Sequence, residues 1–127
     1  MHASTNILLV DDEPGFVNAL AKRLVRRGMT VCTALDGGEA LEQVRSRPLD
    51  VAVLALLMPG VDGVQLCKAL RHEQPDLAII LLTGHGSVHE ALRARDAGAF
   101  EFLSKPVALE KLWDTILRAS GQKDAGA

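Results

Sequence analysis

A chain of 127 residues, 48% of them apolar, can bury one sizeable core and leaves no room for a second domain. Its formal charge of -2 and 3% aromatic content, with no Tyr, provide neither a basic stripe nor a stacking platform, so nucleic-acid binding by this chain alone is not expected. No apolar run is long enough to span a bilayer, and Met1-His2-Ala3-Ser4-Thr5 lacks the charged-then-apolar order of a secretion signal, so the expectation is a cytoplasmic protein without membrane attachment.

Short apolar runs alternate five times with segments of helical period, the pattern of strand-helix units wound around a parallel sheet. The first strand runs from Asn6 to Val10 and is followed by Asp11 and Asp12. A helix from Pro14 to about Arg27 repeats Phe16, Leu20 and Leu24 at four-residue spacing, turns Lys22, Arg23, Arg26 and Arg27 outward as a solvated basic face, and stops at Gly28. The second strand, Thr30 to Ala34, contains Cys32. Asp36-Gly37-Gly38 opens a second helix with Ala40, Leu41 and Val44 inward, ending before Pro48.

The third strand, Val51 to Leu56, is continuously apolar and leads into Met58-Pro59-Gly60. A third helix from about Gly63 to His72 buries Leu66, Cys67 and Leu70, and Pro75-Asp76 turns the chain into a fourth strand from Ala78 to Leu82. The fourth helix, about Ser87 to Ala97, sets Val88, Ala91, Leu92 and Arg95 on one side and stops at Gly98. A fifth strand, Phe100 to Leu103, precedes a helix from Leu109 to Ala119 with Leu112, Trp113, Ile116 and Leu117 at helical spacing. Trp113 reads as packing, and residues 121–127 read as a tail or the start of a linker after a domain spanning 1–120. The strands around Ile7, Val51 and Ile79 do not alternate in polarity, so they are expected at the centre of the sheet with helices on both faces. Cys32 and Cys67 lack the spacing of a metal site or redox pair and read as reduced, buried thiols.

Ligands of an open parallel sheet gather beyond the carboxyl ends of its strands. Asp11 and Asp12 lie at the end of the first strand, Ala55 near the end of the third, Thr83 after the fourth and Lys105 after the fifth. Two adjacent carboxylates suit a hard cation such as Mg²⁺, whereas the structural alternative has Asp12 or Glu13 capping the first helix. Lys105 precedes Pro106, where a cis bond is accessible and would aim the lysine back over the pocket, while a trans proline opening the helix is the plainer reading. His85 and His89 are four apart, but Gly86 leaves His85 in a loop and no third ligand is evident, so they read as solvent-facing.

Leu9-Val10-Asp11-Asp12-Glu13, Met58-Pro59-Gly60-Val61-Asp62-Gly63, Leu82-Thr83-Gly84-His85-Gly86 and Gly98-Ala99-Phe100-Glu101-Phe102-Leu103-Ser104-Lys105-Pro106 together resemble the receiver domains of bacterial two-component response regulators. The similarity covers about residues 6–119 in the correct order. It implies an α/β, flavodoxin-like, doubly wound five-stranded parallel sheet of order 2-1-3-4-5 with five helices on its two faces. It also implies a role in phosphorelay signal transduction, as a signalling domain and not an enzyme, with a histidine kinase or phosphotransfer protein as partner. An output domain or a homodimer contact through the fourth helix, fifth strand and fifth helix follows from the same resemblance, with His85, His89, Arg93, Arg95 and Glu101 as polar residues of that region.

In that family an Asp three residues before the Met of Met-Pro-Gly accepts the phosphoryl group, and here the position holds Ala55. By the same resemblance Asp11, Asp12 and the backbone carbonyl of Leu57 hold Mg²⁺, Lys105 pairs with the phosphate, Thr83 follows the phosphoryl oxygen, and Phe102 is the aromatic that changes rotamer with Thr83. A methyl group has no lone pair with which to attack phosphorus, so transfer to position 55 is excluded and Mg²⁺ binding is expected to be weak. Removal of one carboxylate also lets Lys105 approach Asp11 and Asp12 more closely. Ala55 is then either an engineered replacement in an ordinary phospho-receiver or a natural feature of a pseudo-receiver acting through protein contacts. A third reading, a small Mg²⁺-dependent phosphatase with Asp11 as nucleophile and Lys105 as phosphate clamp, lacks the spaced Asp-x-Asp arrangement and the cap segment of such hydrolases. The loops after the fourth and fifth strands resemble receivers joined to transcriptional outputs of the nitrogen-regulation or fixation type.

Overall fold

In the computed structural model, which describes residues 5–84 and 87–121, the expected order of elements is present with one addition. Strands β1 (Asn6–Val10), β2 (Thr30–Ala34) and β3 (Val51–Ala55) are separated by helices α1 (Pro14–Arg26) and α2 (Gly37–Ser46). A small hairpin follows, β4 (Leu57–Met58) and β5 (Val61–Asp62), before α3 (Gly63–Glu73), β6 (Ala78–Thr83), α4 (Val88–Asp96), β7 (Glu101–Ser104) and α5 (Leu109–Gly121). The five long strands form one parallel sheet in the order β2-β1-β3-β6-β7, which is 2-1-3-4-5 when the hairpin is left out.

The three strands without alternating polarity are the central ones, as helices on both faces demand. Successive residues point to opposite faces and divide the core in two. Ile7, Leu9, Val51, Val53, Ile80 and Leu82 meet Val17, Leu20 and Leu24 of α1 and Leu112 and Ile116 of α5. Leu8, Ala52, Leu54, Ile79 and Leu81 meet Ala40 and Val44 of α2, Leu66, Cys67 and Leu70 of α3, and Ala94 of α4. Each fully buried Leu or Ile contributes about 1.5–3 kcal/mol relative to an exposed one, so the sheet is anchored from both sides. Trp113 packs against the α1/α5 core, with the Arg27 guanidinium 4.9 Å from its ring centre.

Sequence and structure differ where tertiary contacts set the boundary. β3 ends at Ala55, one residue early, because the chain leaves the sheet to form the hairpin. Pro59 and Gly60 connect its strands, and Gly60 adopts a φ of 71°, a conformation that glycine takes without the steric penalty of a Cβ. Two-residue strands have no readable period, so this element escaped expectation. At Gly63 the chain returns so closely that an added Cβ would lie 2.7 Å from Ala55 O and from Leu56 Cα, and Gly63 N–H donates to Leu56 O at 2.7 Å.

Of the two thiols, Cys67 is buried and Cys32 only half-buried; both are free. Burial pushes the Cys67 thiol up to about 11. Residues 122–127 and His85 lie outside the described residues. Among the described residues, no helix is long and apolar enough to cross a membrane.

Candidate functional site

Strand register brings the singled-out residues to one end of the sheet. Val10 pairs with Leu54, which sets Asp11 level with Ala55; Ala55 pairs with Leu82, and Thr83 with Ser104. Lys105 N–H then donates to Thr83 O at 2.6 Å, fixing the start of the last loop against the end of β6. The Lys105-Pro106 peptide bond is cis, not the trans proline of the plainer reading.

Asp11 is 2% exposed, and each of its carboxylate oxygens has a donor. Oδ1 accepts from Glu13 N–H at 3.0 Å, while Oδ2 accepts from Lys105 Nζ at 2.7 Å across 94 residues of chain. Lys105 Nζ also lies 3.6 Å from Glu13 Oε1 and 4.5 Å from the centre of the Phe16 ring. The cation therefore rests between a buried carboxylate, a second carboxylate and an aromatic face. Pairing with hydrogen bonding is what makes a buried charge such as Asp11 tolerable.

Of the acidic pair, Lys105 lies against Asp11, whereas Asp12 is exposed and Glu13 takes the second place. Neither Asp12 nor Glu13 caps α1 through its side chain: Glu13 is the residue at the cap, its side chain makes no capping bond, and Pro14 removes one N–H that would have needed it. Thr83 is 2% exposed. Phe102, half-buried, pairs with Leu81, so alternation sets it on the same face as Thr83, against the α2/α3/α4 core. Leu57 is 63% exposed in β4. Ala55 is 5% exposed and, as the last residue of its strand, packs with the α2/α3/α4 core.

The residues fit a divalent cation only in part. Asp11, Asp12 and the carbonyl of Leu57 are hard oxygen donors, but both oxygens of Asp11 already accept hydrogen bonds. Among the described residues no group of three His, Cys, Asp or Glu side chains is gathered as a metal-binding cluster.

The family described as "Response regulator receiver domain" matches residues 7–117. This chain belongs to that family. Its relatives include the transcriptional regulatory protein GlrR of Escherichia coli K12, 38% identical over 91% of this chain and 26% of that protein. The response regulator MprA of Mycobacterium ulcerans is 44% identical over 86% of this chain and 47% of that protein. The chain thus spans about a quarter to a half of the length of these relatives. Among solved structures, the receiver domain of NtrC4, described as a beryllofluoride-activated dimer, is 36% identical with a TM-score of 0.86 over 92% of this chain and 97% of that one. A CheY-like receiver domain protein from Methanospirillum hungatei superposes with a TM-score of 0.93 over 98% of this chain and 100% of that one; at 23% identity it speaks for the fold alone.

Sequence reasoning did not place Glu13 or Phe16 in this receiver's site. Phe16 falls in the four-residue repeat of α1, and its ring serves both the α1/α5 core and the Lys105 ammonium. A second ionic contact was also missed: Asp62 caps α3 and pairs with Arg93 of α4 at 2.7 Å. Burial works against ionisation of the Asp62 carboxyl, but hydrogen bonds from Arg93 and from Val64 N–H outweigh it and hold the group below its usual range.

Proposed function

We propose that this receiver domain operates without an aspartyl phosphate at position 55, engaging its two-component partners through protein contacts. The observation that carries the reading is the register that sets Ala55 level with Asp11, combined with the Lys105 ammonium 2.7 Å from the Asp11 carboxylate. Ala55 offers no electron pair to a phosphoryl donor. Lys105, which by the family resemblance would pair with a phosphate, instead neutralises Asp11. The rim is held by an internal ion pair.

A bound Mg²⁺ would supply positive charge for phosphoryl chemistry, and Asp11, Asp12 and the Leu57 carbonyl would hold it. Two carboxylates in place of three, with Lys105 contending for one of them, make such binding weak. The phosphatase alternative requires Asp11 as nucleophile, and the donors on both of its oxygens oppose that role.

Partner contact falls on α4, β7 and α5. α4 buries only Ala94, while Val88 and Leu92 are 79% and 46% exposed. Val88, Ala91, Leu92, Arg95 and Phe102 line a groove of about 340 Å³ between α4 and β7. The stripe of Val88, Ala91, Leu92 and Arg95 on one side of α4 thus borders a groove, which suits a second receiver copy or an output domain; the NtrC4 relative is described as a dimer. A cytoplasmic histidine kinase or phosphotransfer protein is the partner class consistent with family membership.

Beryllofluoride completes its tetrahedron with a carboxylate oxygen and so tests the vacancy directly. With Mg²⁺ and beryllofluoride, backbone amide resonances of Thr83, Phe102 and Lys105 are expected to stay in place in this chain and to move in an Ala55→Asp variant. Movement of comparable size in the unaltered chain would refute the reading.

A further inference from the structure

Asp62 divides its carboxylate between two elements. Oδ1 accepts from Val64 N–H at 2.9 Å and caps α3, while Oδ2 accepts from Arg93 Nη2 at 2.7 Å. Asp62 also ends β5, where it pairs with Leu57, and the adjacent Gly63 is fitted tightly against Ala55 and Leu56. The carboxylate is thus mounted on a part of the fold with little freedom to shift. Arg93 belongs to a helix of the opposite kind, since Ala94 is the only buried residue of α4. Among the described residues, the Arg93–Asp62 contact is the one side-chain hydrogen bond from α4 to the rest of the protein. Just beyond the helix, the Arg71 guanidinium donates to Gly98 O and Pro75 O, so the chain leaving α4 is tied to the end of α3.

We propose that the Asp62–Arg93 ion pair is a latch that holds α4, and with it one wall of the α4/β7 groove, against the hairpin that follows position 55. The Arg71 contacts hold the carboxyl end of the helix, leaving its middle and amino end to the latch. Release loosens Val88, Ala91 and Leu92 along the groove without disturbing the sheet beneath. Asp62 and Arg93 are then positioning residues for the partner-facing surface, and the latch works whatever occupies position 55.

Amide hydrogen exchange on the whole chain tests this. Asp62→Asn keeps a competent helix cap while removing the charge, and Arg93→Met keeps helix propensity while removing the donor. Both side chains are about 40% exposed, so the expected effect is that of an exposed pair, a roughly two- to fivefold acceleration of exchange in α4. The two single variants should act alike, and the double variant should add nothing. Amides of α3 from Val64 to Leu70 should keep their rates, Arg93→Lys should recover most of the change, and about 1 M salt should erase the difference between variant and parent. Unchanged α4 exchange in either single variant, additive effects in the double variant, or acceleration spread evenly through α3 and the sheet would overturn the proposal.

Discussion

Replacing Ala55 with Asp introduces a third carboxylate beside one already buried and paired, and the cost can be worked from the site. At roughly 6 Å and an effective dielectric near 20, two carboxylates repel by about 3 kcal/mol. Attraction to Lys105 at a similar distance offsets a comparable amount, but Lys105 is already committed to Asp11 at 2.7 Å. What remains is largely the desolvation of a new charge at a position 5% exposed, and a net loss of about 1–3 kcal/mol is expected. For a domain of this size that lowers the melting midpoint by about 4–12 °C. Thermal melts of the two proteins in a chelator measure the loss. Added Mg²⁺ should recover much of it in the Asp form alone, because an ion that binds only the folded state stabilises it by mass action. An Ala55→Asp variant that melts at or above the temperature of the Ala55 chain without Mg²⁺ would refute the electrostatic argument.

Lys105→Met strands the buried Asp11 charge and should cost stability near the lower end of about 3–5 kcal/mol, while freeing Asp11 for a cation; urea unfolding and calorimetric Mg²⁺ titration should show a less stable fold with tighter Mg²⁺ binding. Gly63→Ala forces a Cβ against backbone atoms 2.7 Å away and should destabilise by about 1–3 kcal/mol in the same unfolding assay. The Asp62 carboxyl is held below its unfolded value, so its contribution is present above the unfolded pKa and fades as pH falls through the lower folded one. A carboxyl-carbon NMR titration should find its midpoint below that of an unstructured Asp. Cys67, fully buried and with its thiol pushed up to about 11, should resist thiol-disulfide reagents until the protein unfolds; rapid labelling of the native chain would contradict its placement.

What could be read from the sequence followed local pattern. Continuous apolar runs at Ile7, Val51 and Ile79 marked the central strands because burial on both faces removes alternation, and the motif residues lay in order at the strand ends. Contacts between distant segments carried no such signal. The family resemblance sets Lys105 and Asp11 at one site, but their direct pairing and the choice of Glu13 over Asp12 as second neighbour depend on how α1 leaves the sheet. The hairpin at Leu57–Met58 and Val61–Asp62 is too short for periodicity to register. Helical spacing sets Val88, Ala91, Leu92 and Arg95 on one side of α4. Spacing states that apolar residues share a face, not that another element covers it, and here Val88 and Leu92 are left exposed.

The central claim is that position 55 is the acceptor position and that its methyl group closes it to phosphorylation. Intact-mass measurement after incubation with acetyl phosphate and Mg²⁺ tests this most directly. The Ala55 chain should keep its mass, while Ala55→Asp should gain a single phosphoryl group located at residue 55. A phosphoryl adduct on the Ala55 chain, or an Asp form that remains unmodified under conditions in which it is folded and binds Mg²⁺, would contradict the account.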